Sequence, residues 1–124
     1  MGKTYKERLS SISVFIFDID GVFTDGKVML MPDGQMVREL SVKDSYAVQY
    51  AIKKRFEVAI ITGGSSMAVK ESLQYLGVRH IFLESRNKSE VFDKFMVDYG
   101  YRPENVLYMG DDIPDYHVMS KAGV

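Results

Sequence analysis

The stretch VFIFDIDG, residues 14–21, decides how the rest of the chain is interpreted. Four β-branched or aromatic residues in a row predict a strand that is buried on both faces, as strands of parallel sheets are. The strand ends at Asp18, and Asp20 and Gly21 follow after one apolar residue. Because binding and catalytic groups collect at the carboxyl ends of parallel strands, both aspartates are candidate functional residues.

Strand patterns and helix patterns alternate along the rest of the chain. Short apolar runs predict further buried strands, and apolar residues at helical spacing predict helices between them. The predicted strands cover residues 58–61, 81–83 and 106–109, and the predicted helices cover about residues 44–54, 65–76 and 89–99, with a last helix near Pro114. This alternation predicts the α/β class, with a three-layer, Rossmann-like parallel sheet and helices on both of its faces.

A small β-hairpin is expected between the first strand and the first of these helices. Residues 27–31 and 35–40 have the pattern of extended segments, and they flank the turn signal Pro32-Asp33-Gly34. Serine and aspartate are good helix caps because their side chains accept a hydrogen bond from a free backbone N–H. The expected caps are Asp44 or Ser45 for the first helix and Ser65 or Ser66 for the second.

Length and composition describe a single domain of an ordinary globular protein. The 124 residues, 46% hydrophobic and 27% charged, suffice for one core and show no domain boundary. The formal net charge of −1 provides no field for binding nucleic acid or an anionic membrane, so neither is an expected partner. The chain has no cysteine, which excludes disulfides and thiolate chemistry and fits a reducing cytoplasm.

Polar residues follow each of the other predicted strands as well. They are Thr62-Gly63-Gly64 after the second strand, Lys88 in the loop after the third, and Asp111, Asp112 and Asp115 after the fourth. Clustered carboxylates raise one another's pKa unless a cation neutralises them. Since only oxygen ligands are offered, a hard divalent ion is expected, and Mg²⁺ is the first candidate.

Magnesium beside carboxylates, a lysine and a threonine is an arrangement suited to phosphate. A carboxylate and a phosphate dianion repel each other, by about 4 kcal/mol for each pair of unit charges at 4 Å and an effective dielectric constant near 20. Mg²⁺ and Lys88 can cancel this repulsion, while Thr62 and nearby backbone N–H groups hold the phosphate oxygens. Each residue alone is a common surface or turn residue, and only their shared placement after buried strands favours a site.

Four segments in order resemble the motifs of the haloacid dehalogenase superfamily of phosphotransferases. They are DIDGVFTDG (residues 18–26), ITGG (61–64), NKSEVFDKF (87–95) and YMGDDIPDYHVM (108–119). Within the superfamily, the chain resembles the capless sugar-acid phosphatases, which act on 3-deoxy-manno-octulosonate 8-phosphate and on nine-carbon ulosonate 9-phosphates. The short gaps between the motifs agree with the absence of a cap domain, because none can hold a separate lid.

The resemblance implies a role for each matched acidic residue. Asp18 would be the nucleophile that becomes an aspartyl phosphate, and it would also bind Mg²⁺. Asp20 would be the general acid and base, and its backbone carbonyl would bind the metal. Asp111 would be the third protein ligand of the metal, with Asp112 close behind it. Asp115 would orient the metal ligand or the lysine.

The resemblance also implies contacts to the substrate and to neighbouring subunits. Thr62, Gly63 and Lys88 would hold the transferring phosphoryl group. Hairpins of neighbouring subunits would associate, so a homotetramer would close the site around a small phosphorylated sugar acid. The candidates for further substrate contacts are Asp25, Lys43, Asp44 and Gly64.

Two departures from the family pattern concern the substrate and the C-terminus. The octulosonate phosphatases generally have arginine at the position of Gly64, and an arginine is often found near the position of Ser72. Lys43, Arg38 or Lys70 could supply a replacement for the missing positive charge. The family continues after the position of Val124 with a strand, a helix and a tail, so we expect a chain that lacks these elements or is naturally minimal.

Two other functions remain open at this point. A signalling receiver domain also groups aspartates, a threonine and a lysine around Mg²⁺, although its acidic pair precedes the phospho-acceptor in the chain, which is the reverse of the order here. A non-catalytic binding or assembly module with the same fold is the second alternative. The four intact motifs favour the enzyme.

Overall fold

The computed structural model describes residues 2–111 and 113–124 as a four-stranded sheet, a two-stranded hairpin and five α-helices. The strands are β1 (Val14–Phe17), β2 (Met29–Leu30), β3 (Met36–Val37), β4 (Glu57–Ile61), β5 (His80–Phe82) and β6 (Val106–Met109). The helices are α1 (Tyr5–Leu9), α2 (Val42–Lys53), α3 (Met67–Tyr75), α4 (Lys88–Tyr99) and α5 (Tyr116–Met119), and 3₁₀ turns cover Pro103–Asn105 and Ile113–Asp115.

The main sheet is parallel, with the strand order β5-β4-β1-β6. β1 is a central strand, because Phe17 at its carboxyl end is opposite Ile60 of β4 on one side and Met109 of β6 on the other. β2 and β3 form the separate antiparallel hairpin, in which Met29 is opposite Val37. The predicted α/β class, the parallel sheet and the small hairpin are therefore confirmed.

Helices cover both faces of the sheet, and each face has its own apolar core. On one face, Val14 and Ile16 of β1 pack with Phe92 and Phe95 of α4 and with Val118 of α5. The core of the other face contains Val58 and Ile60 of β4 together with residues of α2 and α3, namely Val48, Val69 and Leu73. β4 supplies alternate residues to the two cores, as a strand buried on both faces must.

Helix caps account for the differences between the predicted and observed helix starts. α2 begins at Val42 because Ser41 caps it, with its Oγ accepting the backbone N–H of Asp44 at 3.4 Å, so the prediction of Asp44 or Ser45 is wrong. Ser66 caps α3, as predicted, by accepting the N–H of Val69. Asn87 caps α4, and this helix therefore begins one residue earlier than predicted.

Strand boundaries also differ, mostly by a residue or two. β5 ends at Phe82 and begins at His80, one residue earlier at each end than predicted, and each hairpin strand has only two residues. α1 was not predicted; it has no buried residue and begins with a capping box between Thr4 and Glu7. The longest helices have 12 residues, and within the described ranges no helix is long and apolar enough to cross a bilayer.

The last residue of the chain lies beside the outer edge of β6. The carbonyl oxygen of Val124 accepts the N–H of Tyr108 at 3.0 Å, and its own N–H donates to the carbonyl oxygen of Val106 at 3.2 Å. This is the hydrogen-bond pattern of a parallel strand pair. The expectations about a single domain and about the elements beyond Val124 stay predictions.

Substitution of Phe95 tests the packing between α4 and the sheet. Its ring is 1% exposed and contacts the rings of His80, Phe82 and Tyr101. We expect Phe95→Ala to lower the free energy of unfolding by about 3–5 kcal/mol, because it leaves a cavity between α4 and the sheet. Val97→Ala on the same helix changes a residue that is 81% exposed and should cost at most about 0.5 kcal/mol in the same chemical denaturation experiment. Equal losses in the two variants would contradict the described packing.

Candidate active site

The carboxyl ends of the strands open into a cleft of about 1050 Å³. The predicted site residues that line it are Asp18, Asp20, Thr62, Gly63, Gly64, Lys88 and Asp111. They come together because β1, β4 and β6 are parallel neighbours, so the loops that follow these strands meet at one edge of the sheet. Arg38 from the end of the hairpin and Arg86 from the loop before α4 also line the cleft.

Asp18 is a buried carboxylate held by two different donors. It follows β1 directly and is 6% exposed. Its Oδ1 accepts the backbone N–H of Ile19 at 2.7 Å, and its Oδ2 lies 3.1 Å from Nζ of Lys88. Burial raises the pKa of Asp18 above its ordinary value, and the N–H of Ile19 and the charge of Lys88 oppose this rise only in part.

Lys88 links the carboxylates of Asp18 and Asp115. Its Nζ donates to Oδ1 of Asp115 at 2.8 Å, and Asp115 is fully buried. The same Oδ1 accepts the hydroxyl of Tyr108 at 2.5 Å. Burial lowers the pKa of Lys88, but the hydrogen bond to Asp115 and the charge of Asp18 outweigh burial, so that this pKa lies above its ordinary value. Lys88 is therefore a fixed positive charge at the floor of the cleft.

Three acidic side chains lie close enough together to hold a cation. One carboxylate oxygen from each of Asp18, Asp111 and Asp115 lies within 4.8 Å of the others. An all-oxygen set of this kind suits a hard ion such as Mg²⁺, so the predicted cofactor fits the residues present. The cluster contains two of the three predicted ligands, Asp18 and Asp111, and it includes Asp115, which was predicted only to orient other groups.

Asp20 directs its side chain toward the hairpin instead of toward this cluster. Its Oδ1 accepts Nε–H of Arg38 at 2.6 Å, and its Oδ2 accepts Nη2–H of the same guanidinium at 3.2 Å. Arg38 was predicted only as one of three possible substrate contacts, and its ion pair with Asp20 was not predicted. The predicted metal contact through the backbone carbonyl of Asp20 stays a prediction.

Thr62 and the two glycines after it form the wall of the cleft beside Asp20. Thr62 is 4% exposed, and its Oγ1 accepts the backbone N–H of Gly64 at 3.2 Å. A Cβ atom added to Gly64 would lie 3.3 Å from Nη2 of Arg38, whereas one added to Gly63 would meet nothing within 4 Å. The space next to Gly64 is thus filled by the guanidinium of Arg38.

Two other glycines are required by close approach to the acidic cluster. Gly21 has φ +81°, and a Cβ there would lie 1.5 Å from Oδ2 of Asp111. A Cβ on Gly110 would lie 2.4 Å from Cγ of Asp115. Any side chain at either position would displace one carboxylate of the cluster.

The remaining predicted substrate contacts do not reach the cleft of a single chain. Asp25 and Asp44 line a second cavity, of about 1120 Å³, between the hairpin and α2, and Oδ1 of Asp25 accepts the N–H of Lys27 within its own turn. Lys43 lies exposed in the first turn of α2 and lines neither cavity. Their predicted role stays a prediction. Asp112, predicted to stand close behind the metal ligand, lies outside the described residues.

Tyr108 is a buried residue with a polar group that was not predicted to take part in the site. It is 5% exposed on β6, and burial together with the bond to Asp115 raises the pKa of its hydroxyl above the ordinary value. A signal was present, because a tyrosine within a buried strand needs a hydrogen-bond partner for its hydroxyl. Asp115, which follows the end of the strand, was the available acceptor.

Comparison with known proteins identifies relatives of this chain in one family. No protein-family model matches the sequence. The 3-deoxy-D-manno-octulosonate 8-phosphate phosphatase of Escherichia coli K12 is 34% identical over 117 residues, which are 94% of this chain and 62% of the relative. The chain thus spans less than two thirds of the length of the curated relatives it matches.

Solved structures agree with the sequence comparison. A probable YrbI family phosphatase from Pseudomonas syringae superposes with a TM-score of 0.92 at 32% identity, covering 95% of this chain and 67% of that one. A 3-deoxy-D-manno-octulosonate 8-phosphate phosphatase from Moraxella catarrhalis, solved with a magnesium ion, a phosphate ion and 3-deoxy-D-manno-octulosonate (KDO), has a TM-score of 0.89 at 28% identity, covering 94% and 67%. The chain belongs to the haloacid dehalogenase superfamily, in its 3-deoxy-D-manno-octulosonate 8-phosphate phosphatase-type family.

Gly110→Ala tests the close contact behind the acidic cluster. Because the new methyl group would overlap the carboxylate of Asp115, we expect a loss of about 1–3 kcal/mol in the free energy of unfolding. Gly63→Ala is the matched control, since its methyl group enters open space. Thermal and urea unfolding of the two variants check the difference, and a Gly110→Ala protein as stable as Gly63→Ala would show that the contact is absent.

Proposed function

We propose that the chain is a Mg²⁺-dependent phosphatase that hydrolyses the phosphate monoester of a sugar acid through an aspartyl phosphate on Asp18. One observation carries the proposal: Asp18 is a buried carboxylate at the floor of the cleft, 3.1 Å from a lysine and within an all-oxygen acidic cluster. A carboxylate in such a place can attack phosphorus, since the positive charges around it offset its repulsion of phosphate.

The chemistry consists of two transfers of one phosphoryl group. In the first, an oxygen of Asp18 bonds to phosphorus, the bond from phosphorus to the sugar oxygen breaks, and Asp20 gives that oxygen a proton. In the second, water attacks phosphorus, Asp20 takes its proton, and the bond to Asp18 breaks to release inorganic phosphate. Thr62, Gly63 and Lys88 hold the phosphoryl oxygens during both transfers.

Mg²⁺ would be held by Asp18 and Asp111, with Asp115 beside them. When bound, it supplies positive charge that lets the substrate phosphate approach a carboxylate. The described residues fit this ion because the three side chains of the cluster each offer a carboxylate oxygen, and the related protein from Moraxella catarrhalis holds magnesium and phosphate ions. Lys88 complements the ion as a charge that is always in place.

A sugar acid is the favoured substrate class because of the relatives and the cations of the cleft. The curated relatives are phosphatases of 3-deoxy-D-manno-octulosonate 8-phosphate, an eight-carbon sugar acid. In this chain, Arg86 lines the same cleft as Lys88, and its guanidinium suits an anionic substrate. Nine-carbon ulosonate phosphates remain the second group of substrates to test.

The proposed assembly is a homotetramer formed through the hairpin, in the cytoplasm. Met29, Leu30, Met36 and Val37 are all exposed on the hairpin, at 47–71% of their surface, and an apolar patch of this kind is suited to burial against another subunit. Nucleic acid and membranes are not proposed partners. No described contact favours a receiver domain or a binding module over the phosphatase.

Asp18→Asn is the direct test of the nucleophile. The amide cannot form the aspartyl phosphate, so we expect phosphate release from sugar-acid phosphates to fall by at least about 1,000-fold while the protein stays folded. Asp98→Asn, which changes an exposed aspartate on α4, should retain full activity. Phosphate release and circular dichroism are measured on both variants, and substantial turnover by the folded Asp18→Asn protein would refute the role of Asp18.

Removal of the metal ion tests the acidic cluster. EDTA should abolish phosphate release and added Mg²⁺ should restore it. Because an ion that binds only the folded state stabilises it, millimolar Mg²⁺ should also raise the melting temperature of the wild type. The Asp111→Asn variant should lose most of this rise, whereas Asp98→Asn should keep it. If added Mg²⁺ changed neither the melting temperature nor the activity, the proposed metal site would be contradicted.

A further inference from the structure

Arg38 is the residue that joins the hairpin to the reaction centre. It follows β3 directly, and its side chain is 8% exposed, although the residues of β2 and β3 are all exposed. Its Nε and Nη2 donate to the two carboxylate oxygens of Asp20 at 2.6 and 3.2 Å. The strands of the hairpin are exposed, yet the side chain of Arg38 is buried in the cleft. We infer that its ion pair with Asp20 holds it there.

The geometry of this ion pair fixes the direction of the Asp20 carboxylate. A guanidinium that donates two N–H groups to the two oxygens of one carboxylate sets the plane of that carboxylate as well as its distance. A single hydrogen bond would leave the carboxylate free to rotate about its Cβ–Cγ bond. Arg38 thus removes the main rotational freedom of the Asp20 side chain.

Gly64 provides the space in which Arg38 takes this position. A Cβ on Gly64 would lie 3.3 Å from Nη2 and 3.7 Å from Cζ of Arg38, which is closer than comfortable contact for the nearer atom. The backbone of Gly64 is itself tied to Thr62 through Oγ1. The guanidinium therefore lies between Asp20 and the wall of the cleft, and it has little room to move away from either.

We propose that Arg38 is a positioning residue, which orients Asp20 for proton transfer and makes that orientation depend on where the hairpin lies. The inference rests on the proposed function, because Asp20 needs an exact direction only if it exchanges a proton with the leaving oxygen and with water. A general acid or base must lie within roughly 2.6–3.2 Å of the atom it serves, and misplacement by about 1 Å can reduce a rate 100-fold. A hairpin displaced by that amount would carry the guanidinium with it.

The test is a double-mutant cycle of Arg38→Gln and Asp20→Asn, assayed with Mg²⁺ on a sugar phosphate and on p-nitrophenyl phosphate. The sugar oxygen needs a proton as it leaves, and p-nitrophenolate does not. We expect Arg38→Gln to lower kcat for the sugar phosphate by about 10- to 100-fold with a change in KM below about threefold. In the Asp20→Asn background the same substitution should change kcat by less than about twofold, because its target is already lost.

Three results of the cycle would overturn the inference. In the first, the fold-losses in kcat of the two single variants multiply in the double variant. In the second, Arg38→Gln raises KM and leaves kcat unchanged. In the third, Arg38→Gln lowers the phosphorylation rate equally for the two substrates. Each would mean that Arg38 acts on the substrate or on the fold and not through Asp20. Arg102→Gln, which changes a guanidinium that is 79% exposed, is the matched control and should leave kcat unchanged. If Arg38→Gln does not fold, Arg38→Lys keeps the charge and the stem but not the planar fork, and the same cycle is run with it.

Amide hydrogen exchange of residues 29–37 gives a readout that does not depend on turnover. If Arg38 ties the hairpin to Asp20, then Arg38→Gln and Asp20→Asn should each speed exchange in this segment, and the double variant should be no faster than the faster single variant. If hydrogen exchange of residues 29–37 were unchanged in Arg38→Gln, the proposed link between the hairpin and Asp20 through Arg38 would be wrong. The exchange result could be as expected while the wild type releases no phosphate from any ester. The proposed function would then fail, and the proposed role of Arg38 in proton transfer would fail with it. The contact between the hairpin and Asp20 through Arg38 would still stand.

Discussion

The rest of the site depends on the buried contact of Lys88 with Asp18 and Asp115. Two carboxylates at 6% and 0% exposure would repel each other strongly without a cation between them, and Lys88 supplies that cation 3.1 and 2.8 Å away. Removing one partner from a buried ion pair typically costs about 3–5 kcal/mol, because the other charge is left uncompensated. The contact therefore fixes the relative positions of β1, α4 and the 3₁₀ turn before α5. Tyr108 strengthens it from β6 by donating to the same oxygen of Asp115 that Lys88 contacts.

The cleft has a half built on the core strands and a half that depends on the hairpin. The first half consists of buried side chains that follow core strands, with Asp18 and Thr62 as its clearest members. The other half is the ion pair of Asp20 and Arg38, and Arg38 belongs to an element whose strand residues are exposed. This division separates two tasks of the proposed reaction. In that reaction, attack on phosphorus would use the half built on the core strands. Proton transfer would use the other half, whose geometry would change with any partner that contacts the hairpin.

Much of the fold and the core of the site follow from the sequence, because strand periodicity and parallel topology are strong constraints. Once β1 and β4 are identified as neighbouring parallel strands, Asp18 and Thr62 must end at the same edge of the sheet. Features that depend on a single side chain were harder to predict. Ser41 and the serine or aspartate residues a few positions later are all good caps, and only the local backbone decides among them. Arg38 was predicted within the extended segment of residues 35–40, but strand periodicity does not specify which group the end of its long side chain contacts.

Charge balance favours a divalent ion over another lysine at the proposed site. Among the described residues, Asp18, Asp20 and Asp111 line the cleft together with three cations, Arg38, Arg86 and Lys88, so the lining charges roughly cancel. Asp115 adds a further negative charge just behind Lys88. Of the cations, Lys88 and Arg38 are already committed to carboxylates of the chain itself. A phosphate monoester brings up to two more negative charges, and each unit-charge repulsion at 4 Å is worth about 4 kcal/mol at an effective dielectric constant near 20. In the proposed reaction, a divalent ion among the carboxylate oxygens would offset this charge beside Asp18, and it would do so without another buried side chain.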